Sequence, residues 1–287
     1  MSKLECLIDK NLGVAIVGLG VIGGSIAGAL KSRGYTNVLG IDKQEHTIIE
    51  AKKKGYIHEG SIFPDEILPL ADIVIVCLYP QNTIDFIKKN LNHFKINGII
   101  TDVSGIKKEI MDDICGWLRE DLEFIGGHPM SGNHSNGIDY SNPNMFVDAC
   151  YIITPSASNS KKSIGQIKNL AIDIGCKTVL ELDACHHDEA IAVVSHMPHI
   201  LALALMNIYD DSIADMLGPS FKDATRVAQI NSKLWAELFI SNKANIDEQI
   251  GLIQDKIEEL REAISSSDVN KLEKIMDSAK QKRENIA

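Results

Sequence analysis

His128 is the side chain in this sequence with the most evident chemical potential. It stands in Glu123-Phe-Ile-Gly-Gly-His-Pro-Met-Ser-Gly132, where an apolar run reads as a short buried strand that stops at the glycine pair, and Pro129 and Gly132 turn the chain into a loop. An imidazole delivered at the end of a buried strand is suited to accepting a proton near neutral pH. Ser195 and His199 are four residues apart and so share one helix face, while His196 points elsewhere. Lys222 and Arg226 are also four apart. Two stacked cations destabilise an isolated helix but suit a doubly anionic ligand, with the guanidinium gripping a carboxylate as a fork. A surface ion pair between Asp223 and Arg226 explains the same spacing equally well. His186, His187, Asp188 and Glu189 precede His196 and His199, but no HExxH or Cys/His finger spacing is present. No metal is expected, and His186-His187 reads as an exposed first helical turn.

These side chains need a framework. The apolar run Leu12–Val17 leads into Gly18-Leu19-Gly20-Val21-Ile22-Gly23 and a helix over Ser25–Ser32. Strand, glycines and helix in that order form a dinucleotide fingerprint: the glycines allow a tight turn and close backbone approach to a pyrophosphate, which the helix N-terminus favours. A second strand, Asn37–Asp42, ends in an acid placed to accept a ribose 2′-hydroxyl; a carboxylate there repels a 2′-phosphate, so Asp42 predicts NAD rather than NADP. The alternation continues with helix Glu45–Lys54 and strand Asp72–Leu78, uninterruptedly apolar as in a parallel sheet covered on both faces. Leu78, Tyr79 and Pro80 after it, and Asp102 after strand Gly98–Thr101, should lie along the cofactor, because ligands sit at the carboxyl ends of such strands. Helices over Thr83–Asn90, Ile106–Leu118 and Lys161–Ile174, and strands Tyr151–Thr154 and Lys177–Glu181, complete the pattern. The expected fold is a Rossmann-type, doubly wound, mostly parallel sheet over residues 1–182, followed by an all-α domain over 183–287. In the second, Asp183 caps a long helix reaching Tyr209, kinked at Pro198, and helices follow at about Pro219–Gln229, Asn231–Ser241, Ile246–Ser265 and Val269–Arg283.

Composition removes several classes of function. With 287 residues, 45% of them hydrophobic, the chain can bury the cores of two ordinary domains. A net charge of −10 argues against a nucleic-acid partner. The runs Lys52-Lys53-Lys54 and Lys280-Gln-Lys-Arg283 read as solvated helix faces. Six cysteines without a CxxC pair, several in apolar runs, fit buried thiols in a reducing cytosol. The charged N-terminus has no signal-peptide pattern. Ala190–Met206 is mostly apolar, but Ser195, His196, Pro198 and His199 would be costly in lipid, so it is expected to be a buried helix rather than a membrane span.

The motifs together are more specific than any one alone. Gly18-Leu-Gly-Val-Ile-Gly-Gly-Ser25, Thr101-Asp-Val-Ser-Gly-Ile-Lys107, Gly126-Gly-His-Pro-Met-Ser-Gly132, Met145–Pro155, Ser195-His-Met-Pro-His199 and Phe221-Lys-Asp-Ala-Thr-Arg226, spanning about residues 13–240, resemble the prephenate dehydrogenase family, arogenate dehydrogenases included. The resemblance implies NAD-dependent oxidative decarboxylation of a cyclohexadienyl acid in tyrosine biosynthesis, in a cytoplasmic enzyme that dimerises through its helical half. It implies that His128 accepts the proton of the ring 4-hydroxyl and that Arg226 binds a carboxylate, with Ser195, His199 and Lys222 in the substrate pocket. Family members often carry a serine one place later than Ser104, and some have an acid where this chain has His134. Neither a C-terminal regulatory domain nor a fused mutase is expected. The alternatives are an arogenate dehydrogenase, a β-hydroxyacid dehydrogenase, which commonly relies on a lysine where this chain offers Ser195 and His199, and a non-catalytic NAD-sensing regulator, which would not need His128 and Arg226 together.

Overall fold

The computed structural model describes residues 9–132 and 135–286; Cys6 and His134 lie outside them. Eight strands form one sheet: β1 (Val14–Val17), β2 (Val38–Ile41), β3 (Glu59–Ser61), β4 (Ile73–Val76), β5 (Ile99–Asp102), β6 (Glu123–Pro129), β7 (Cys150–Thr154) and β8 (Thr178–Glu181). Their order is β3-β2-β1-β4-β5-β6-β7-β8. Every neighbouring pair is parallel except β6 and β7. Strands β1, β2, β4 and β5 are buried along their whole length, as their unbroken apolar runs require when helices cover both faces.

The connecting helices are α1 (Val21–Ser32), α2 (Glu45–Lys53), α3 (Pro64–Ile67), α4 (Pro80–Lys89), α5 (Lys108–Cys115), α6 (Lys161–Asp173) and α7 (Ala184–Ile191). Beyond them come α8 (Met197–Ile208), α9 (Pro219–Thr225), α10 (Ser232–Ser241), α11 (Lys243–Ser265) and α12 (Val269–Glu284). Strand β3 and helix α3 have no counterpart in the sequence reading, because a three-residue Glu-Gly-Ser strand carries no apolar signal.

Strand β6 corrects one expectation. It does not stop at the glycine pair but runs through His128 and Pro129, because the antiparallel partner β7 takes over there, pairing His128 with Ile152 and Pro129 with Tyr151. Gly126 and Gly127 serve close packing rather than a turn. A Cβ at Gly126 would lie 2.1 Å from Thr154 Oγ1, and one at Gly127 would lie 2.6 Å from the Asp102 carbonyl.

The chain divides into two compact units, one reaching Ile191 and including Gln229–Ser241, the other formed by Ala192–Ala228 and Asn242 onward. Helix α10 therefore belongs with the sheet, where Leu234, Trp235 and Leu238 join the apolar cluster that holds Ile106 and Ile110. In the second unit a π-helical turn, Ala192–His196, precedes α8, whose first turn contains Pro198. The missing proline N–H is accommodated by this wider turn rather than by a simple kink. The stretch Ala184–Ile208 is long and apolar enough to cross a membrane by length and composition, yet only 28% of its apolar window is buried within the chain. The expectation of a buried helix thus fails: Val194, Leu201, Leu205, Met206 and Ile208 are exposed.

Candidate active site

The glycine turn shapes two clefts in the sheet unit. Gly18 has φ +86°, and a Cβ there would lie 2.7 Å from the Cys77 carbonyl. One at Gly23 would overlap the Gly18 carbonyl at 1.9 Å, whereas one at Gly20 would meet open space. Gly20 is also the N-cap of α1 and provides no side-chain cap, so the positive end of the helix is left for an anion. A cleft of about 210 Å³ lies against Gly20, Val21, Ile22 and Gly23, closed by Tyr79 and Trp235. A second, of about 640 Å³, is lined by Gly18, Asp42, Lys43, Ile62, Leu78 and Phe86. The two together fit the pyrophosphate and adenosine halves of a dinucleotide.

Asp42, half-buried at the end of β2, accepts from the backbone N–H of Leu19 and of Gln44, both at 2.9 Å. Leu19 thus spends its N–H on Asp42 and buries its side chain in the core, contributing shape rather than a contact of its own. The Tyr79 hydroxyl accepts from Asn231 Nδ2 at 2.7 Å. Pro80 lines neither cleft; it opens α4, where a proline is pre-organised.

Asp102 departs from the expectation that it lies along the cofactor. It is fully buried. One carboxylate oxygen accepts from the Ser104 N–H at 3.0 Å and from the buried Lys107 ammonium; the other accepts from the Gly127 N–H at 3.0 Å. Asp102 therefore clamps the Ser104 turn and β6 from behind.

His128, half-buried, stands in front of this clamp. A Cβ at Gly105 would lie 3.9 Å from His128 Nε2, so the glycine keeps the approach to that nitrogen open. The Ser104 hydroxyl is buried and has no hydrogen-bond partner; among the described residues only Thr154 shares that condition. An unsatisfied buried hydroxyl costs about 1–3 kcal/mol, a cost that a ligand bound there would remove.

On its other side His128 places Nδ1 3.0 Å from His187 Nε2. His187 Nδ1 in turn lies 2.7 Å from Asp188 Oδ1. The Asp188 carboxylate also accepts from the backbone N–H groups of Lys107 (2.8 Å) and Lys108 (2.9 Å), at the N-terminus of α5. Burial pulls the His187 pKa below the ordinary histidine value, with Lys107 adding to the effect and the Asp188 hydrogen bond opposing it. Reading His186-His187 as an exposed turn is therefore half right. His186 is exposed beside Glu189, but His187 is completely buried.

In the second unit, His199 Nδ1 bonds the Ser195 carbonyl at 2.7 Å, one turn back on the same face. His196 is buried and lies 3.2 Å from Asn242 Nδ2. Lys222 and Arg226 are exposed on α9 and the turn after it. Among the described residues no three His, Cys, Asp or Glu side chains are grouped to hold a metal.

The functional candidates that sequence reasoning missed are His187, Asp188 and Lys107, together with Asn231 and Trp235. A signal for His187 was present: it lies on the helix face of Ala184 and Ile191, three residues before and four after, and Ile191 is buried. Nothing local links Asp188 to a backbone amide 81 residues away.

A glycine-headed βα turn, an acid closing β2 and an imidazole on β6 within this sheet define a dinucleotide-dependent dehydrogenase. Comparison with known proteins makes the class specific. Residues 26–180 match the family model "Prephenate dehydrogenase, nucleotide-binding domain", and residues 183–278 match "Prephenate dehydrogenase, dimerization domain". The chain belongs to the prephenate dehydrogenase family. It is 29% identical to the prephenate dehydrogenase of Bacillus subtilis over 284 residues, covering 95% of this chain and 76% of the relative. The crystal structure of Aquifex aeolicus prephenate dehydrogenase with hydroxyphenyl propionate and NAD+ superposes with a TM-score of 0.85 at 28% identity, covering 96% of this chain and 98% of that one. Synechocystis arogenate dehydrogenase gives 0.83 at 25% identity, with 96% and 100% covered.

Proposed function

We propose that this chain oxidises prephenate with NAD and releases the ring carboxylate as carbon dioxide, giving 4-hydroxyphenylpyruvate for tyrosine biosynthesis in the cytoplasm. The observation that carries the site assignment is the pairing of His128 with the unsatisfied hydroxyl of Ser104 at the carboxyl ends of β5 and β6. NAD, when bound, supplies the hydride acceptor for the ring carbon that bears the hydroxyl.

His128 accepts the hydroxyl proton as that carbon is oxidised, and Ser104 holds the same oxygen. The electron pair of the breaking carbon–carboxylate bond then enters the ring and leaves it aromatic. Gly18, Gly20, Val21, Ile22 and Gly23 cradle the pyrophosphate, Asp42 receives the ribose hydroxyls, and Leu78 and Tyr79 flank the cofactor. In the helical half, the Arg226 guanidinium grips a substrate carboxylate, supported by Lys222, His199 and Ser195. The exposed apolar residues of α8 are suited to a subunit interface, and the chain works as a homodimer through this half.

The test follows NADH formation with prephenate, with arogenate and with a β-hydroxyacid in parallel. Prephenate is expected to give the highest kcat/KM. His128→Asn should retain NAD affinity and lose roughly 10²–10⁴ in kcat, the worth of one positioned general base. Turnover close to that of the unmodified protein would assign the proton transfer to another group.

A further inference from the structure

Beyond the base itself, the structure assigns a positioning role to the buried pair His187 and Asp188: they set the tautomer of His128 and carry part of the charge it gains when it takes the substrate proton. This rests on the reading of His128 as the proton acceptor.

The argument starts at Asp188, whose surroundings leave it one role. It is buried and receives two backbone N–H groups from the first turn of α5. Three donors thus converge on its carboxylate, counting His187 Nδ1 at 2.7 Å, and the positive end of a helix adds to them. An ionised carboxylate can only accept, so the hydrogen between Asp188 and His187 sits on His187 Nδ1.

That placement propagates outward. In a neutral imidazole with hydrogen on Nδ1, Nε2 is the acceptor. His187 Nε2 lies 3.0 Å from His128 Nδ1, so His128 must donate there and carries its own hydrogen on Nδ1. Its Nε2 then holds the lone pair, on the side where Gly105 leaves room. His187 must be neutral for this, and its complete burial with Lys107 nearby favours the neutral form.

When His128 accepts a proton at Nε2 it becomes an imidazolium, with its Nδ1–H directed at His187. The ionised Asp188 beyond His187 lowers the cost of that charge in a site from which water is excluded. The logic is that of the Asp–His–Ser relay, with a second imidazole inserted between carboxylate and base. Neither His187 nor Asp188 touches substrate in this scheme.

The decisive measurement is nitrogen-15 NMR of the imidazoles in the full-length protein, with His128 assigned by its loss in His128→Asn. In the unmodified protein His128 is expected as the Nδ1–H tautomer. Finding hydrogen on Nε2 in the neutral ring would overturn the proposal whatever the kinetics show. In His187→Phe, which keeps an aromatic ring but removes the acceptor, His128 should shift toward the Nε2–H form. Its kcat with prephenate should fall at least about tenfold, within the 10²–10⁴ ceiling of a positioned base, while KM for NAD holds. His187→Gln, which can still present an acceptor oxygen to His128 Nδ1, should recover part of that loss. The limb of the kcat/KM–pH profile that reports the base should move down in pH in His187→Phe, since the imidazolium is less well supported. An unmoved limb and an unchanged tautomer in a folded variant would mean that His187 only fills space, which overturns the assignment. If His128→Asn itself retains full turnover, the failure belongs to the proton-acceptor reading and is told apart from a failure of the relay.

Discussion

The carboxyl ends of β2 and β5 carry the same sequence sign, an aspartate closing an apolar run, yet the two acids do opposite work. Asp42 is half-exposed at the rim of a cleft and holds backbone amides of the glycine turn. Asp102 has no exposure and is paired with an equally buried lysine. The difference lies in what the following loop brings back. After β2 the chain leaves over the surface through Lys43, Gln44 and α2. After β5 it returns Lys107 within five residues, a cation that finds no water and one acid. A carboxylate at the rim is available to a ligand, while one in the interior holds parts of the chain together. The same position in successive βα units thus yields a binding group in one and an internal clamp in the other.

Breaking the clamp should give the largest effect. Burial pulls the Lys107 ammonium below the usual lysine range, and the pairing with Asp102 opposes this. Lys107→Met would leave Asp102 charged and alone, a loss of about 3–5 kcal/mol in unfolding free energy. Replacing Asp102 with Asn in the same chain should return part of it, because no unpaired charge then remains buried. Denaturant titration of the single and double variants measures both numbers. A single variant within 1 kcal/mol of the parent would show that the pair is not the clamp described here.

Asp42→Ala sharpens the contrast from the other side. It should cost stability only about 0.5–1.5 kcal/mol, the worth of ordinary hydrogen bonds to the glycine turn. It should weaken NAD binding by about 1.5–3 kcal/mol, the range for hydrogen bonds to a charged group, or roughly tenfold to a hundredfold in Kd. Discrimination against NADP should fall with it. Calorimetric titration with both cofactors tests this, and an unchanged ratio would remove Asp42 from cofactor selection.

The contrast also marks what could be read before the structure. The sheet, its helices and the glycine turn are local patterns: Val14–Val17 and Ile73–Val76 are apolar at every position, and Gly34 and Gly55 end their helices with positive φ. His128 was legible because a glycine pair and a proline isolate it. What surrounds it was not, since Asp188 and Lys107 are joined through a contact between helices far apart in sequence. Asp102 was misread because position in a strand predicts nearness to the cleft but not what covers the side chain. Helix α10 looks like its helical neighbours in sequence, and only packing through Leu234, Trp235 and Leu238 assigns it to the sheet unit.

The smallest effect expected concerns pH, and it separates the interior network from the rim once more. His187 is buried, and desolvation depresses its pKa below the ordinary value near 6.5, with Lys107 lowering it further and Asp188 and Asp102 opposing. The groups around it are therefore Asp188, Lys107, Asp102 and the imidazole of His128. A depressed folded-state pKa means that the unfolded chain takes up the proton first as pH falls. Above about 6.5 His187 is neutral in both states and imposes no penalty. Below that value the unfolded state gains, and stability declines until the lowered folded-state pKa is reached. The slope can approach but not exceed about 1.4 kcal/mol per pH unit for one proton. The melting temperature should hold between pH 8 and 7 and fall between roughly pH 6 and 5. In His187→Phe the fall over that acidic window should be shallower, because the titrating ring is gone. A histidine at the rim, such as His186 with its exposed partner Glu189, gives no such handle, and His186→Phe should leave the acidic slope as it was. Equal slopes in the parent and His187→Phe would mean that His187 is solvated enough to titrate normally, and the distinction between a dry interior network and a wet rim would not survive it.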